Sequence, residues 1–380
     1  MLPEFYRTCL KSQLSESQLH TLEILVWLLQ FHKQVRIERL AACMPLPIVF
    51  ESRRRHLQRF LILPQLSVAL LWLPLIKYIL RTQIKPELQV IVTLDRTRWA
   101  ENNLLMVSVV WERRTWPVYW QFMDRKGNSN LAQQKAVLRP AFLLLKRYQI
   151  VVVGDREFHS VKLANWLGEQ KVNFAMRQKQ GTYIVAEGQG HQKLSQIGLV
   201  PGMKLFLSGV TFSKNKKFGQ FNLAAYWQRK QRGKTLESGW YILTNLDNID
   251  AALQAYKARS GIEAMFRDYK SGGYNLEDCK APKERLTRLV LLIALAYTCA
   301  GLNGQKIKRQ GQQKYVNRLK ELRRIDRRHS SFWVGLYRQM WVAGMEFCED
   351  LVSKLMRIRP NKLPFYQRGL RAMTLIGQTS

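Results

Sequence analysis

Residues 256–270 read YKARSGIEAMFRDYK, and the reading of the whole chain turns on them. The surrounding pattern predicts helix from about Ile249 to Lys270. Counted from Tyr256, the residues Arg259, Glu263 and Lys270 fall at offsets of 3, 7 and 14. At about 100° per residue these offsets lie near 300°, 340° and 320°, a stripe about 60° wide. One helix face therefore presents a carboxylate between cations and a phenol. A solvated face of salt bridges explains the charges alone. It does not explain why Tyr256 shares the stripe, nor why two acid-tipped strands come first.

Those strands lie upstream. Leu88–Leu94 is almost continuously apolar and β-branched, as a strand buried on both faces should be, and it ends at Asp95. Ile150–Val153 is a second such run, followed by Gly154 and Asp155. A single Asp after a strand is most often a turn or cap residue. Two that converge at the carboxyl end of an α/β sheet repel each other unless a cation lies between them. Magnesium or manganese, which take oxygen ligands, would supply it. Between the two runs, Leu104–Trp111 and Val118–Met123 read as strands and Leu131–Arg147 as a helix. After Asp155 come a helix near Val161–Gln170 and a strand at Val172–Met176. This order predicts an α/β core with a mixed sheet over residues 86–180 and 246–305.

The texture changes three times outside that core. Residues 181–245 carry β-like runs at Thr182–Ala186, Lys204–Val210, Phe221–Arg229 and Trp240–Asn245, which predict a β-rich insertion. Residues 1–85 read as helical, with a capping box at Ser15 and Gln18. Their third helix carries Arg53, Arg54, Arg55 and Arg59. It suits either a helix-turn-helix DNA reader or a small bundle with a solvated basic face. Residues 306–380 form a basic helical region. Within it, residues 306–328 hold ten Lys/Arg against Glu321 and Asp326, net +8. That run is either a DNA-facing surface or a solvated charge run.

The whole chain has 61 Lys+Arg against 27 Asp+Glu, a net charge of +34 over 380 residues. Self-repulsion of that size implies a polyanionic partner, with nucleic acid first and anionic membrane or ribosomal RNA as rivals. The five cysteines are scattered without metal-ligand spacing, which favours a reduced, cytoplasmic protein. No secretory signal is expected at the N-terminus. Of the two apolar stretches, Leu61–Leu80 is broken by prolines. Leu289–Leu302 is shorter than the ~20 residues a membrane-crossing helix needs, so both are expected in the core.

Tyr-x2-Arg-x3-Glu-x6-Lys at Tyr256, Arg259, Glu263 and Lys270 resembles the signature of a subclass of bacterial insertion-sequence DDE transposases. Gly154-Asp155-Arg156-Glu157-Phe158 and Thr93-Leu94-Asp95-Arg96-Thr97 resemble the segments around that family's two aspartates. The resemblance spans about residues 88–280. It implies a ribonuclease-H-like core interrupted by a β-rich insertion, with Asp95, Asp155 and Glu263 as catalytic metal ligands. It further implies two Mg²⁺ ions, with Mn²⁺ able to substitute, and cut-and-paste chemistry on double-stranded DNA. Transposon ends and target would be the substrates, with a homodimer on paired ends. Arg259, Lys270 and Tyr256 would contact phosphates near the cut. Trp240, in a Trp-x3-Thr segment, would stack on a base flipped from the transposon end; packing within the inserted sheet is the alternative for it. Glu157 is either a minor ligand or the partner of a nearby Arg.

Other readings remain open on sequence alone. The same acids would serve a resolvase-like nuclease that cuts without joining, or persist in a catalytically inactive DNA-binding relative. A serine or tyrosine recombinase fits less well, because Tyr256 beside Glu263 suits phosphate contact better than nucleophilic attack.

Overall fold

The computed structural model describes residues 2–124, 127–185, 190–212, 220–229, 238–319 and 329–378. It divides into two compact units, residues 77–266 and residues 1–76 with 267–380.

The first of these is built on one sheet. Its strands are β1 (Gln89–Trp99), β2 (Asn102–Trp111), β3 (Arg114–Phe122), β4 (Gln149–Gly154), β5 (Asn173–Arg177), β6 (Tyr183–Val185), β7 (Gln192–Lys193), β8 (Lys204–Phe212), β9 (Gln220–Tyr226) and β10 (Trp240–Thr244). Their spatial order is β3-β2-β1-β4-β5-β10-β9-β8-β6-β7. β1, β4 and β5 run parallel; β2, β3 and β10 join antiparallel. β2 and β4 are buried along nearly their whole length, which is why they read as unbroken apolar runs. The helix Leu131–Leu145 starts on a capping box between Asn130 and Gln133. The helix Val161–Glu169 follows β4.

Two expectations change here. The expected β-rich insertion at 181–245 is continuous with the core sheet, and its last strand belongs with the core. β10 pairs with β5 through Leu243↔Met176 and Thr244↔Ala175, so the inserted strands extend the core sheet. Asp95 does not end its strand: β1 continues to Trp99, held by antiparallel pairing to β2 (Asp95↔Met106, Trp99↔Asn102). What ends there is the parallel pairing to β4, whose last pair is Leu94↔Gly154.

The other unit is helical. It includes the helices Glu16–His32, Ile37–Cys43, Phe50–Phe60, Lys283–Arg309 and Ser331–Phe347. The capping box at Ser15 and Gln18 is formed. Lys283–Arg309 is long and apolar enough to cross a membrane, but 78% of its most apolar window is buried inside the protein. Polar groups within it pair with the N-terminal helices: the Tyr6 hydroxyl meets Thr298 Oγ1 at 2.7 Å, and Gln30 Nε2 donates to the Ala296 carbonyl at 2.8 Å. It is a core helix, and it groups 267–305 with the flanking helices rather than with the sheet. Residues 320–328 of the basic run at 306–328 lie outside the described residues.

Candidate active site

The site grows from the edge where parallel pairing stops. Gly154 must be glycine, because a Cβ there would stand 2.9 Å from both Phe158 Cβ and Met176 Sδ. The chain then turns through Asp155, whose Oδ1 accepts the Glu157 N–H at 2.8 Å and caps a short 3₁₀ turn, Arg156–Phe158. Asp155 is thus held at the carboxyl end of β4, one strand from Asp95. Gly154→Ala should cost about 1–3 kcal/mol through overpacking and displace Asp155. Thermal unfolding of the variant beside its cleavage rate checks both.

Asp95 is almost enclosed, 9% exposed. Its Oδ1 accepts the Arg96 N–H at 2.7 Å and its Oδ2 accepts Arg259 Nη1 at 3.0 Å. Burial pushes its carboxyl up to about 7; Arg259 and the Arg96 N–H oppose the rise, while Asp155 and Glu263 add to it. A carboxylate placed this way lacks positive charge.

Arg259 supplies what charge there is. The expected single helix is two, Ile249–Ala258 and Ser260–Tyr269, and Arg259 is the junction. Its N–H donates to the Tyr256 carbonyl at 3.1 Å and its own carbonyl accepts from Ile262 at 3.0 Å, so the turn tightens at this residue. Gly261 lets the second helix close on β3: a Cβ would sit 3.1 Å from the Arg114 carbonyl. Arg259 Nη2 reaches Glu263 Oε1 at 2.5 Å while Nη1 holds Asp95. Burial works against the guanidinium charge, but Tyr256, Asp95 and Glu263 more than offset that and hold it above its ordinary value.

The predicted residues therefore separate. Asp95, Asp155, Arg259 and Glu263 come together. Glu263 has an exposed side chain, open to a large substrate. Tyr256 lies in the core at 3% exposure, against Val151, Val153 and Ile242, and its hydroxyl has no partner among the described residues. Direct phosphate contact by Tyr256 is not available in this conformation; its ring supports Arg259 instead, 5.7 Å from the guanidinium. Trp240, half-buried at the start of β10, packs edge-on to Tyr256 with ring centroids 5.1 Å apart, the packing alternative for this residue. Lys270 follows the end of the second helix, belongs to the helical unit and pairs with Glu277 at 2.9 Å.

The nearby Arg expected as a partner for Glu157 is Arg96, to which the sequence had assigned no role of its own. Its Nε reaches Glu157 Oε2 at 2.7 Å and Oε1 at 3.0 Å, and its Nη1 donates to Asn103 Oδ1 at 3.1 Å. Ser129 donates its N–H and its hydroxyl to Glu157 Oε1, each at 2.9 Å. Both charged side chains are nearly buried, 8% and 11% exposed. Arg96 follows Asp95 directly and Glu157 lies two residues past Asp155. The pair ties the two acid-bearing segments together, and Glu157 is committed to it rather than to an ion. Opposite charges at short offsets from the two aspartates were the available signal.

Among the described residues, no group of three or more His, Cys, Asp or Glu side chains converges closely enough to hold a metal ion as it stands. The reason is visible: Arg259 lies between Asp95 and Glu263. The donor set nevertheless suits a hard divalent cation, being all carboxylate oxygen and already organised around one positive group.

Residues 125–299 match the family model described as the transposase DDE domain. The matched residues are a little under half of the chain, and they are similar to the catalytic domain of transposases. The match covers Asp155 and the whole 256–270 stretch; Asp95 lies before it. No curated protein matches the chain. Among solved structures it is similar to the piggyBac transposase of a synaptic complex with hairpin DNA, with a TM-score of 0.45 and 13% identity over 88% of this chain and 72% of that one.

Proposed function

We propose that this protein is a transposase that moves DNA by cut-and-paste, cutting transposon ends and joining them to target, with Asp95, Asp155 and Glu263 as its catalytic carboxylates. The observation that carries the reading is the convergence of Asp95 and Glu263 on one guanidinium beside Asp155, at the carboxyl edge of parallel strands. The order β3-β2-β1-β4-β5, followed by a helix bearing the last acid, is what a ribonuclease-H-like core requires. The four-residue signature supports the insertion-sequence subclass.

The three carboxylates would hold Mg²⁺, two ions in the fuller form of the proposal, with Mn²⁺ as substitute. When bound, such ions neutralise the scissile phosphate and make the attacking hydroxyl a better nucleophile. Holding ions there requires Arg259 to let go of at least one carboxylate. The released guanidinium is then free to pair bidentately with a phosphate, a geometry Arg suits better than Lys. Arg96 and Glu157 fix the spacing of the aspartate segments throughout. Tyr256 and Trp240 form the apolar floor under Arg259, and stacking of Trp240 on a flipped base would need its half-exposed edge to turn outward. Lys270 would contact phosphate beyond the cut, and a homodimer on paired ends would bring two sites together.

The test uses a supercoiled plasmid bearing the DNA that flanks the coding region. Wild-type protein should cut at the element's ends only with Mg²⁺ or Mn²⁺, and Asp155→Asn should bind those ends without cutting. Binding without cutting by the wild type, in either ion, would favour a catalytically inactive DNA-binding protein.

A further inference from the structure

The helical unit carries two adjoining cavities of about 370 and 470 Å³ that share Gln58 and Arg285. The walls are the start of the helix Ile37–Cys43, the helix Phe50–Phe60, and residues 278–285, which lead into the helix Lys283–Arg309 and form its first turn. Some cations along these walls are already neutralised. Arg36 meets Asp278 at 3.6 Å, Arg54 meets Glu51 at 3.2 Å, and Arg55 meets Glu51 at 3.5 Å. Four others are not: Arg39, Arg59, Lys280 and Arg285 have no carboxylate partner among the described residues. The 27-residue helix that begins at Lys283 adds its positive end, and its N-cap, Pro282, makes no side-chain hydrogen bond there.

Unpaired cations gathered along one groove are unfavourable for the free protein and favourable for a polyanion. A single small anion would need one pocket, whereas these four charges are spread along two joined ones. Arg and Lys contact phosphate whatever the base sequence, and charges spread along two joined pockets suit the repeating phosphates of a backbone. We propose that this groove holds the sugar–phosphate backbone of duplex DNA, with Arg39, Arg59, Lys280 and Arg285 each neutralising phosphate. It is a second DNA contact, made without the three carboxylates, and its phosphate contacts hold DNA of any sequence. It rests on the reading of the chain as a DNA enzyme, and it names which part of the helical flank takes the duplex.

The test measures binding of a random-sequence duplex to the full chain over a range of salt, without divalent ions, so that catalysis plays no part. The variant Arg39→Gln/Arg59→Gln/Lys280→Gln/Arg285→Gln removes four charges from the groove. A control, Lys354→Gln/Arg357→Gln/Arg359→Gln/Lys362→Gln, removes four exposed charges from the C-terminal helices. Each phosphate contact contributes about 0.9 to the slope of log affinity against log salt. The groove variant should lose about 3–4 from that slope and bind at least about tenfold more weakly at low salt, with the control close to wild type. Equal losses in both variants, or none in the groove variant, would overturn the groove. Failure of the wild type itself to bind duplex, with binding to anionic vesicles instead, would overturn the DNA reading along with it.

Discussion

Arg96→Ala is expected to cost the sheet-bearing unit about 3–5 kcal/mol, because it leaves the Glu157 carboxylate buried and charged with only the Ser129 donors. A loss of that size should lower the melting temperature by roughly 10 °C. The double variant Arg96→Met/Glu157→Met should recover most of the stability, since apolar groups of similar volume replace a buried ion pair at little cost. It should not recover activity. The pair bridges the residue after Asp95 and the turn after Asp155, so an apolar substitute packs the space without fixing that spacing. Loss of such supporting contacts commonly lowers activity by about 10–100-fold. A double variant that is both stable and fully active would show that the pair serves the fold alone.

The second large effect concerns Asp95→Asn. Cleavage should fall at least about a thousandfold, the several kcal/mol that a ligand to a catalytic ion contributes. The same change should stabilise the protein. In the folded state the Asp95 carboxyl titrates at about 7 rather than near 3.8, chiefly through burial. The folded protein therefore binds more protons than the unfolded chain between about pH 4 and pH 7, and stability from this group falls as pH rises through that window. Asn carries no charge and can still accept from Arg259. At pH 8 the variant should melt higher than wild type, by up to about 4 kcal/mol in stability, and the difference should shrink toward zero by pH 4. Glu263→Gln should abolish cleavage without that gain, since its side chain is 54% exposed. Equal or lower melting of Asp95→Asn at pH 8 would show that Asp95 is not held in a strained ionised state.

The contrast between these residues explains what was legible in the sequence. Buried strands announce themselves as apolar runs, so β1, β2 and β4 were readable. Helix starts were readable where a cap marks them, as at Ser15. Periodicity showed that Tyr256, Arg259 and Glu263 share a face, but not what the face meets. Tyr256 turned out to lie beneath the site and Arg259 within it. Lys270 fell beyond the helix end, where its offset no longer sets its direction. The strand pairing of β10 with β5 joins residues far apart in the chain, and no local pattern carries that. The same holds for the continuation of β1 past Asp95, which depends on β2 rather than on its own polar residues. The seven-residue helix Glu4–Leu10 also lacked a local signal; its Tyr6 is ordered by Thr298, nearly three hundred residues away.

We propose that this protein joins DNA as well as cutting it, with Asp95, Asp155 and Glu263 in one site. The direct measurement supplies purified protein and Mg²⁺ with a duplex already cut to expose the element's 3′ end, together with a supercoiled target plasmid. Covalent transfer of the labelled end into the target is expected, lost in Asp95→Asn, Asp155→Asn and Glu263→Gln alike. Efficient cutting of intact ends with no transfer of the pre-cut end would contradict it and identify a nuclease.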